Sequence, residues 1–244
     1  MVWLPKWLAF RVNPVPFLVD NFVTAAVKEL PVGSIVFDAG AGECRYASLF
    51  SHCTYISLDF GKGDPLWNYK RLSVIGDLLS LPLRDEVFDA AICTQTMEHI
   101  SNPFVLLQGL FRVLKPGGRL FLTAPQIWPI HQSPHDFFRF TYYGLECLFD
   151  HAGFVVESIQ PHGGYFLYLA GSLSHMHRAL FPLGRPFLKR LLLSPLQFFV
   201  VFFASFLGPL VLYTLDCFNK NYALNYECKC QKPVSTPSES HQYH

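Results

Sequence analysis

FDAGAGECR, Phe37 to Arg45, decides how this 244-residue chain is read. It follows SIVFD (Ser34 to Asp38), a short apolar, β-branched run, and leads into a segment expected to be helical from about Arg45. Strand, glycine turn and helix in that order mark the first unit of an open α/β sheet. Ligands of such sheets sit at the carboxyl ends of the strands where the strand order reverses, and the first glycine turn lets a ligand touch the backbone. Gly40 and Gly42 fit that role. A dinucleotide fingerprint would need a third glycine for close helix–strand packing around a pyrophosphate, and Arg45 stands there instead. Asp38, two residues before the first glycine, is badly placed beside a pyrophosphate. It suits a cationic ligand, such as a sulfonium carrying an amino group.

Working outward, Phe17 to Leu30 has helical apolar spacing and Pro31-Val32-Gly33 stops it. TYISLD (Thr54 to Asp59), LSVIGD (Leu72 to Asp77), FDAAICTQ (Phe88 to Gln95) and RLFLTAP (Arg119 to Pro125) are the next four strands. Ser101-Asn102-Pro103 offers a cap and a first-turn proline for a helix through Leu114, ended by Lys115-Pro116-Gly117-Gly118. A helix over about Tyr142 to His151, a strand FVVESIQ (Phe154 to Gln160) and a strand within Asn221 to Lys232 follow. Strands apolar throughout, alternating with helices, imply a parallel sheet covered on both faces. The expected fold is therefore α/β: a Rossmann-like, seven-stranded, mostly parallel sheet with helices on both faces. Its last strand is antiparallel, and an apolar helical insertion separates strands six and seven. The divisions are an apolar arm and helix (1–30), the core (31–162), the insertion (163–220), the last core strand (221–232) and a disordered tail (233–244).

Two more acids repeat the position of Asp38 at the end of a strand. Asp59 lies nineteen residues after Gly40, where a carboxylate can accept from both ribose hydroxyls. Asp77, after the third strand, can accept from an adenine amino group. A lone G-x-G is weak evidence, whereas three acids at one sheet edge in strand order are strong evidence.

With these residues in place the chain resembles a class I S-adenosylmethionine-dependent methyltransferase of the type 11 group. The matching segments are VFDAGAGECRY, YISLDF, GDLLSLPLRDEVFDAAICTQTMEHI and LKPGGRLFLTAP, spanning roughly residues 34 to 125. The resemblance implies S-adenosylmethionine as cofactor, with Asp38, Gly40 and Gly42 flanking its methionine part and Asp59 holding the ribose. It further implies that Asp77 and Leu78 contact adenine and that Gln95 closes the pocket. Two departures stand out. GKGDPLWNYKR is too short for a full crossover helix, and about sixty residues separate the sixth and seventh strands where the family often has a tight hairpin.

Methyl transfer from a sulfonium needs alignment above all, and a base only if the acceptor must lose a proton. Histidine suits that role near neutral pH. Candidates are His99, beside Glu98 after the fourth strand, and His131 and His135 in HQSPHDFFRFT after the fifth. Each could instead be structural, with His135-Asp136 capping the next helix. A metal at His131 and His135 lacks a third ligand beyond Asp136, so no metal site is expected.

Composition narrows the partners. Hydrophobic residues make up 51% of the chain and charged residues 15%, against roughly 25% charged in an ordinary soluble domain. With 19 basic and 18 acidic side chains and no basic stripe, nucleic acid is not expected as a partner. The seven cysteines show no disulfide or zinc spacing, which fits a reducing cytoplasm. The N-terminal residues lack the pattern of a signal peptide and could lie on a membrane surface or pack on the domain. Leu191 to Leu215 carries no charge, but Pro195 and Gly208-Pro209 divide it too often for a membrane span. With Arg178, Arg185, Lys189 and Arg190 on its flank, it is read as a peripheral, monotopic membrane contact or a cap over an apolar or lipid-linked acceptor. Oxygen is the expected methyl acceptor. The rival readings are a dinucleotide-dependent oxidoreductase and an inactive, membrane-tethered scaffold that binds the donor; the oligomeric state stays open.

Overall fold

Strand β1, Ile35–Ala39, is the centre around which the chain assembles. The computed structural model describes residues 15–63, 66–180, 195, 199, 203, 208–216 and 222–234. Before β1 comes helix α1 (Val15–Lys28) and after it β2 (Thr54–Asp59), β3 (Val74–Ile75) and β4 (Phe88–Thr94). Helix α2 (Pro103–Val113), β5 (Leu114–Pro125), α3 (Tyr142–His151), β6 (Val155–His162), α4 (Tyr165–Leu180), α5 (Gly208–Leu215) and β7 (Asn225–Gln231) complete the described elements. The seven strands lie in the order β3-β2-β1-β4-β5-β7-β6, parallel from β3 to β5, with an antiparallel end formed by β5, β7 and β6. The expected seven-stranded, Rossmann-like sheet is therefore what forms, and the order reverses between β1 and β4.

Why these segments are central strands is visible in their burial. Val36, Phe37, Ala90, Ala91, Ile92, Leu120, Phe121 and Leu122 are wholly buried, so both faces of β1, β4 and β5 are covered. Val36 pairs with Tyr55 on one side and Ala90 on the other. Helix α2 starts where the Asn102 side chain accepts from the Val105 N–H at 3.3 Å, with Pro103 in its first turn. Its buried face is Leu106, Leu107, Leu110 and Val113, a helical stripe.

Three boundaries differ from the sequence expectation. The helix expected from about Arg45 is a single 3-10 turn, Ala47–Phe50. Phe50 is buried there and stacks on Tyr55 at 5.4 Å, so one turn is enough to seal that face before β2 begins. The third strand shortens from Leu72–Asp77 to Val74–Ile75, an edge strand with only one neighbour. Strand β5 starts at Leu114, five residues early, because Lys-Pro-Gly-Gly is a bulge within it. The register with β4 jumps from Phe88↔Leu114 to Ala90↔Arg119. The bulge is held from the other side: the Gly117 N–H donates to the Lys232 carbonyl and the Lys232 N–H to the Gly118 carbonyl, each at 2.8 Å.

The chain groups into two compact units, residues 21–160 with 226–244, and residues 1–20 with 161–225. In the second of these the Asp216 carboxylate accepts from the Gly164 and Leu167 N–H groups at 2.9 Å, capping α4. Of residues 163–220, expected as an apolar helical insertion, helices α4 and α5 are described; most of Leu191–Leu215, read as a membrane contact or cap, lies outside the described residues. No helix among the described residues is long and apolar enough to cross a membrane.

Phe121 tests the core directly, being fully buried with its ring edge-on to Phe22 at 6.3 Å. Phe121→Ala is expected to lower unfolding free energy by about 3–5 kcal/mol. Val32→Ala, at a side chain 86% exposed, should change it by less than about 0.5 kcal/mol in the same urea titration.

Candidate functional site

The carboxyl ends of β1 and β4 meet around Gly40. It turns at φ +81°, a conformation that favours glycine, and a Cβ built there would lie 2.3 Å from the Thr96 side chain. The loop after β1 is thus pressed against the loop after β4. Gly42 follows at φ +51°, and a Cβ there would meet the Trp67 ring at 2.9 Å. Both glycines of the opening motif are required by close approach as well as by backbone angle.

Three of the four residues expected around the ligand's head are tied together here by hydrogen bonds. The Asp59 carboxylate accepts from the Gly42 N–H at 3.0 Å and the Gly61 N–H at 2.8 Å, and the Gly40 N–H donates to the Leu58 carbonyl at 2.8 Å. Asp38 is the fourth. It is 1% exposed and accepts from the Tyr55 hydroxyl. Burial pushes its carboxyl up to about 7, against the hydrogen bond from Tyr55, with the nearby Asp59 charge adding to the rise. A cation reaching Asp38 would be met by a carboxylate held ready for it.

The remaining cofactor candidates lie further along the same edge. Asp77 is exposed, two residues beyond β3, and its Oδ1 accepts from the Leu79 N–H at 2.9 Å. Leu78 beside it is buried. Gln95 turns at φ +49°, a strained angle for a residue with a side chain, and its amide Nε2 donates to Thr123 Oγ1 at 3.1 Å. Its side-chain amide is thereby directed toward β5.

Of the three histidines expected to serve the acceptor, two come together. The rings of His99 and His131 are edge to face at 4.7 Å. Their meeting depends on the loop after β5, which folds back so that the Phe137 N–H donates to the Glu98 carbonyl at 2.9 Å. Asp136 accepts from the His131 N–H at 2.9 Å and is clamped by Arg139 through both carboxylate oxygens, at 2.6 and 2.9 Å. The Arg139 bonds hold the Asp136 carboxyl well below its ordinary range. His135 stands apart: its side chain is exposed beside Phe137, and only its carbonyl takes part, facing His99 Nδ1.

Sequence reasoning passed over Tyr55, Thr96, Trp67 and the buried state of Glu98. A signal for Tyr55 was available, since Tyr55, Ser57 and Asp59 alternate on one face of β2. Glu98 is fully buried, and neither carboxylate oxygen has a hydrogen-bond partner. Burial pushes its carboxyl up to about 8 and holds the His99 imidazole below its usual value, so His99 is neutral at pH 7.

A cleft of about 490 Å³ lies at the opposite, amino-terminal edge of β1 and β5, lined by Glu29, Asp89, Lys115 and Arg119. Its charges are mutually satisfied: Asp89 with Lys115, and Glu29 with Arg119 and Lys229. Those pairs brace the strand ends and leave no group for chemistry.

Comparison with known proteins places a methyltransferase domain over the same strands. The family profile described as “Methyltransferase domain” matches residues 37–122. The tRNA (carboxymethyluridine(34)-5-O)-methyltransferase of Arabidopsis thaliana is 31% identical over 123 residues, covering 46% of this chain and 28% of that protein. The probable tRNA methyltransferase 9B of Homo sapiens is 30% identical over 118 residues, covering 46% and 25%. The chain thus spans about a quarter of the length of these curated relatives. A SAM-dependent methyltransferase from Archaeoglobus fulgidus superposes with a TM-score of 0.58 at 13% identity, over 93% of this chain and 100% of that one; it shows the fold alone.

These relatives correct the expectation about partners. Nucleic acid was excluded from the net charge of +1, yet the relatives that share the domain are named for tRNA. A net charge sums over the whole surface and cannot report on one groove. The matched stretch is also only a fraction of those proteins, so nucleic acid can be held elsewhere in them. The expected apolar or lipid-linked acceptor falls with the same finding, having been drawn from the apolar run and from no residue of the site.

Asp38 makes the site's electrostatics measurable. Its folded carboxyl titrates near 7 and an unfolded aspartate near 3.9, so between those values the folded protein binds more protons. Stability from this group is therefore full below about pH 4 and falls as pH rises towards 7. Asp38→Asn keeps an acceptor for Tyr55 and removes the titration. The melting temperature of the variant relative to the parent is expected to rise from pH 5 to pH 8; a constant difference would show that Asp38 is not held protonated.

Proposed function

With residues 37–122 forming a methyltransferase domain of the type 11 group, we propose that this chain transfers a methyl group from S-adenosylmethionine to an oxygen of an RNA nucleoside. The observation that carries the donor half is the gathering of Asp38, Gly40, Gly42 and Asp59 at the carboxyl ends of β1 and β2, with Asp59 bonded to Gly42 and Asp38 buried beside them. Its chemistry fits the group. A buried carboxylate can pair with the amino acid ammonium, and backbone exposed at two glycines can approach the methionine part. Asp59 uses one lone pair of each oxygen on the Gly42 and Gly61 N–H groups, leaving others for ribose hydroxyls. Asp77 and Leu78 form the adenine end, with Gln95 after β4.

The bound donor supplies a methyl group already activated by its sulfonium. What the chain adds is placement: Asp38 and Asp59 fix the two ends of the donor, and the loop Pro125 to Thr141 brings His131 beside His99 where the acceptor arrives. Thr96, packed on Gly40, sets the distance between donor loop and acceptor loop. His99 is held neutral by burial, and His135, whose ring lies outside the cluster, positions it through its carbonyl. Oxygen and RNA as acceptor are supported by the relatives' names.

Calorimetric titration with S-adenosylhomocysteine tests the donor half. Binding is expected with NADH silent, and affinity should strengthen from pH 6 to pH 8 as Asp38 ionises. Asp38→Asn should weaken binding by roughly 10–100-fold, the loss of one charge-assisted hydrogen bond, and abolish the pH trend. Binding of NADH alone would overturn the reading in favour of a dinucleotide enzyme. For the acceptor, labelled donor incubated with bulk tRNA should leave label on nucleosides after nuclease digestion; label appearing only in alkali-resistant base carbons would exclude an oxygen ester or ether.

A further inference from the structure

The donor reading gives no task to the most unusual group in the molecule. Glu98 follows β4 in the 3-10 turn Met97–His99, is 0% exposed, and has no partner on either carboxylate oxygen. Next to it His99 Nε2 is also buried and unpartnered, 3.9 Å from Glu98 Oε1. His99 Nδ1 faces the His135 carbonyl, which can only accept, so Nδ1 carries the ring proton and Nε2 carries the lone pair. Buried carboxylate oxygens and a nitrogen lone pair therefore converge with no donor between them.

His131 supplies a third lone pair. Its Nδ1 faces the Pro129 carbonyl at 3.2 Å and Asp136 Oδ2 at 3.5 Å, which assigns the proton to Nδ1 and leaves Nε2 free. One ligand atom from each of Glu98, His99 and His131 lies within 4.8 Å of the others. We propose that Glu98, His99 and His131 bind a divalent transition ion of the zinc class at the acceptor end of the site.

Several features support a metal in place of a proton or a water. Both histidines have the second partner that metal-bound imidazoles usually have, a backbone carbonyl on the far nitrogen that orients the ring. Two imidazoles and one carboxylate are ligands suited to zinc-like ions and poorly suited to magnesium, which prefers oxygen. Asp136 and Arg139 neutralise each other through two hydrogen bonds, so the positive Arg139 does not displace a cation. A divalent ion on one carboxylate carries a residual charge of +1 and keeps an open position. An anionic or ionisable oxygen is the ligand that fills it, and a metal lowers the pKa of an oxygen bound to it. The site is thus also a reason for an oxygen acceptor.

The test uses the full chain, stripped with chelator and titrated with Co2+ and Zn2+ with no S-adenosyl compound present, so that its outcome is separate from the donor reading. One equivalent of Zn2+ should survive dialysis, and one equivalent of Co2+ should give the visible absorption of a low-coordinate nitrogen–oxygen site, not displaced by equimolar Mg2+. Glu98→Gln and His131→Ala should each weaken the ion by at least about 10-fold. His131 is partly exposed, so its variant keeps the fold, checked by thermal melting. Cys147 and His151, whose Sγ and Nδ1 lie 3.5 Å apart on the surface, provide the control for adventitious binding. Cys147→Ala with His151→Ala should leave the count at one. Retention of no metal, displacement by Mg2+, or loss only in the Cys147/His151 control would overturn the proposal.

Discussion

A hydrogen atom is all that fits on Gly40. With Thr96 atoms 2.3 Å from where a Cβ would stand, the loop after β1 and the loop after β4 share one packing surface. That surface is the point at which the strand order reverses, so the close approach determines how near the donor end can lie to the acceptor end. Everything in the site hangs from it. Asp38 is buried because β1 runs between β2 and β4, and Glu98 is buried because the turn after β4 is pushed under the loop that returns from β5.

The two edges of the sheet handle charge in opposite ways. At the amino-terminal edge Glu29, Arg119, Glu157 and Lys229 form a chain of ion pairs, each group meeting its opposite within 2.6 Å. Partly exposed pairs like these contribute little stability individually but give each charge an opposite partner. At the carboxyl edge Asp38 and Glu98 are buried without a cation, and burial raises both carboxyls toward neutral pH. Unmatched acidic groups of this kind cluster where a ligand completes them. This contrast between the edges is independent of any family likeness.

Loops account for most of what differs from the expectation. The segment after the glycine turn has helical spacing, yet only fourteen residues separate Ala39 from Thr54, and Phe50 seals the face in one 3-10 turn. The Lys-Pro-Gly-Gly run does end helix α2, and it is also a bulge inside β5, held by backbone bonds to Lys232 just past β7.

What the sequence determined by itself is the sheet and the run of glycines and acids along one edge of it. Apolar strands cannot be left exposed, glycines at 40 and 42 have few other uses, and acids at 38, 59 and 77 recur at strand ends, so period and spacing carry that information locally. Tyr55 under Asp38, the Trp67 ring against Gly42 and the union of Glu98, His99 and His131 were decided only by the tertiary structure. His131 is thirty-two residues from His99, and the spacing within HQSPH suggested His135 as its companion. The loop after β5 chose otherwise, since its backbone bonds to Glu98 and the Asp136–Arg139 clamp turn one histidine inward and leave the other in solvent.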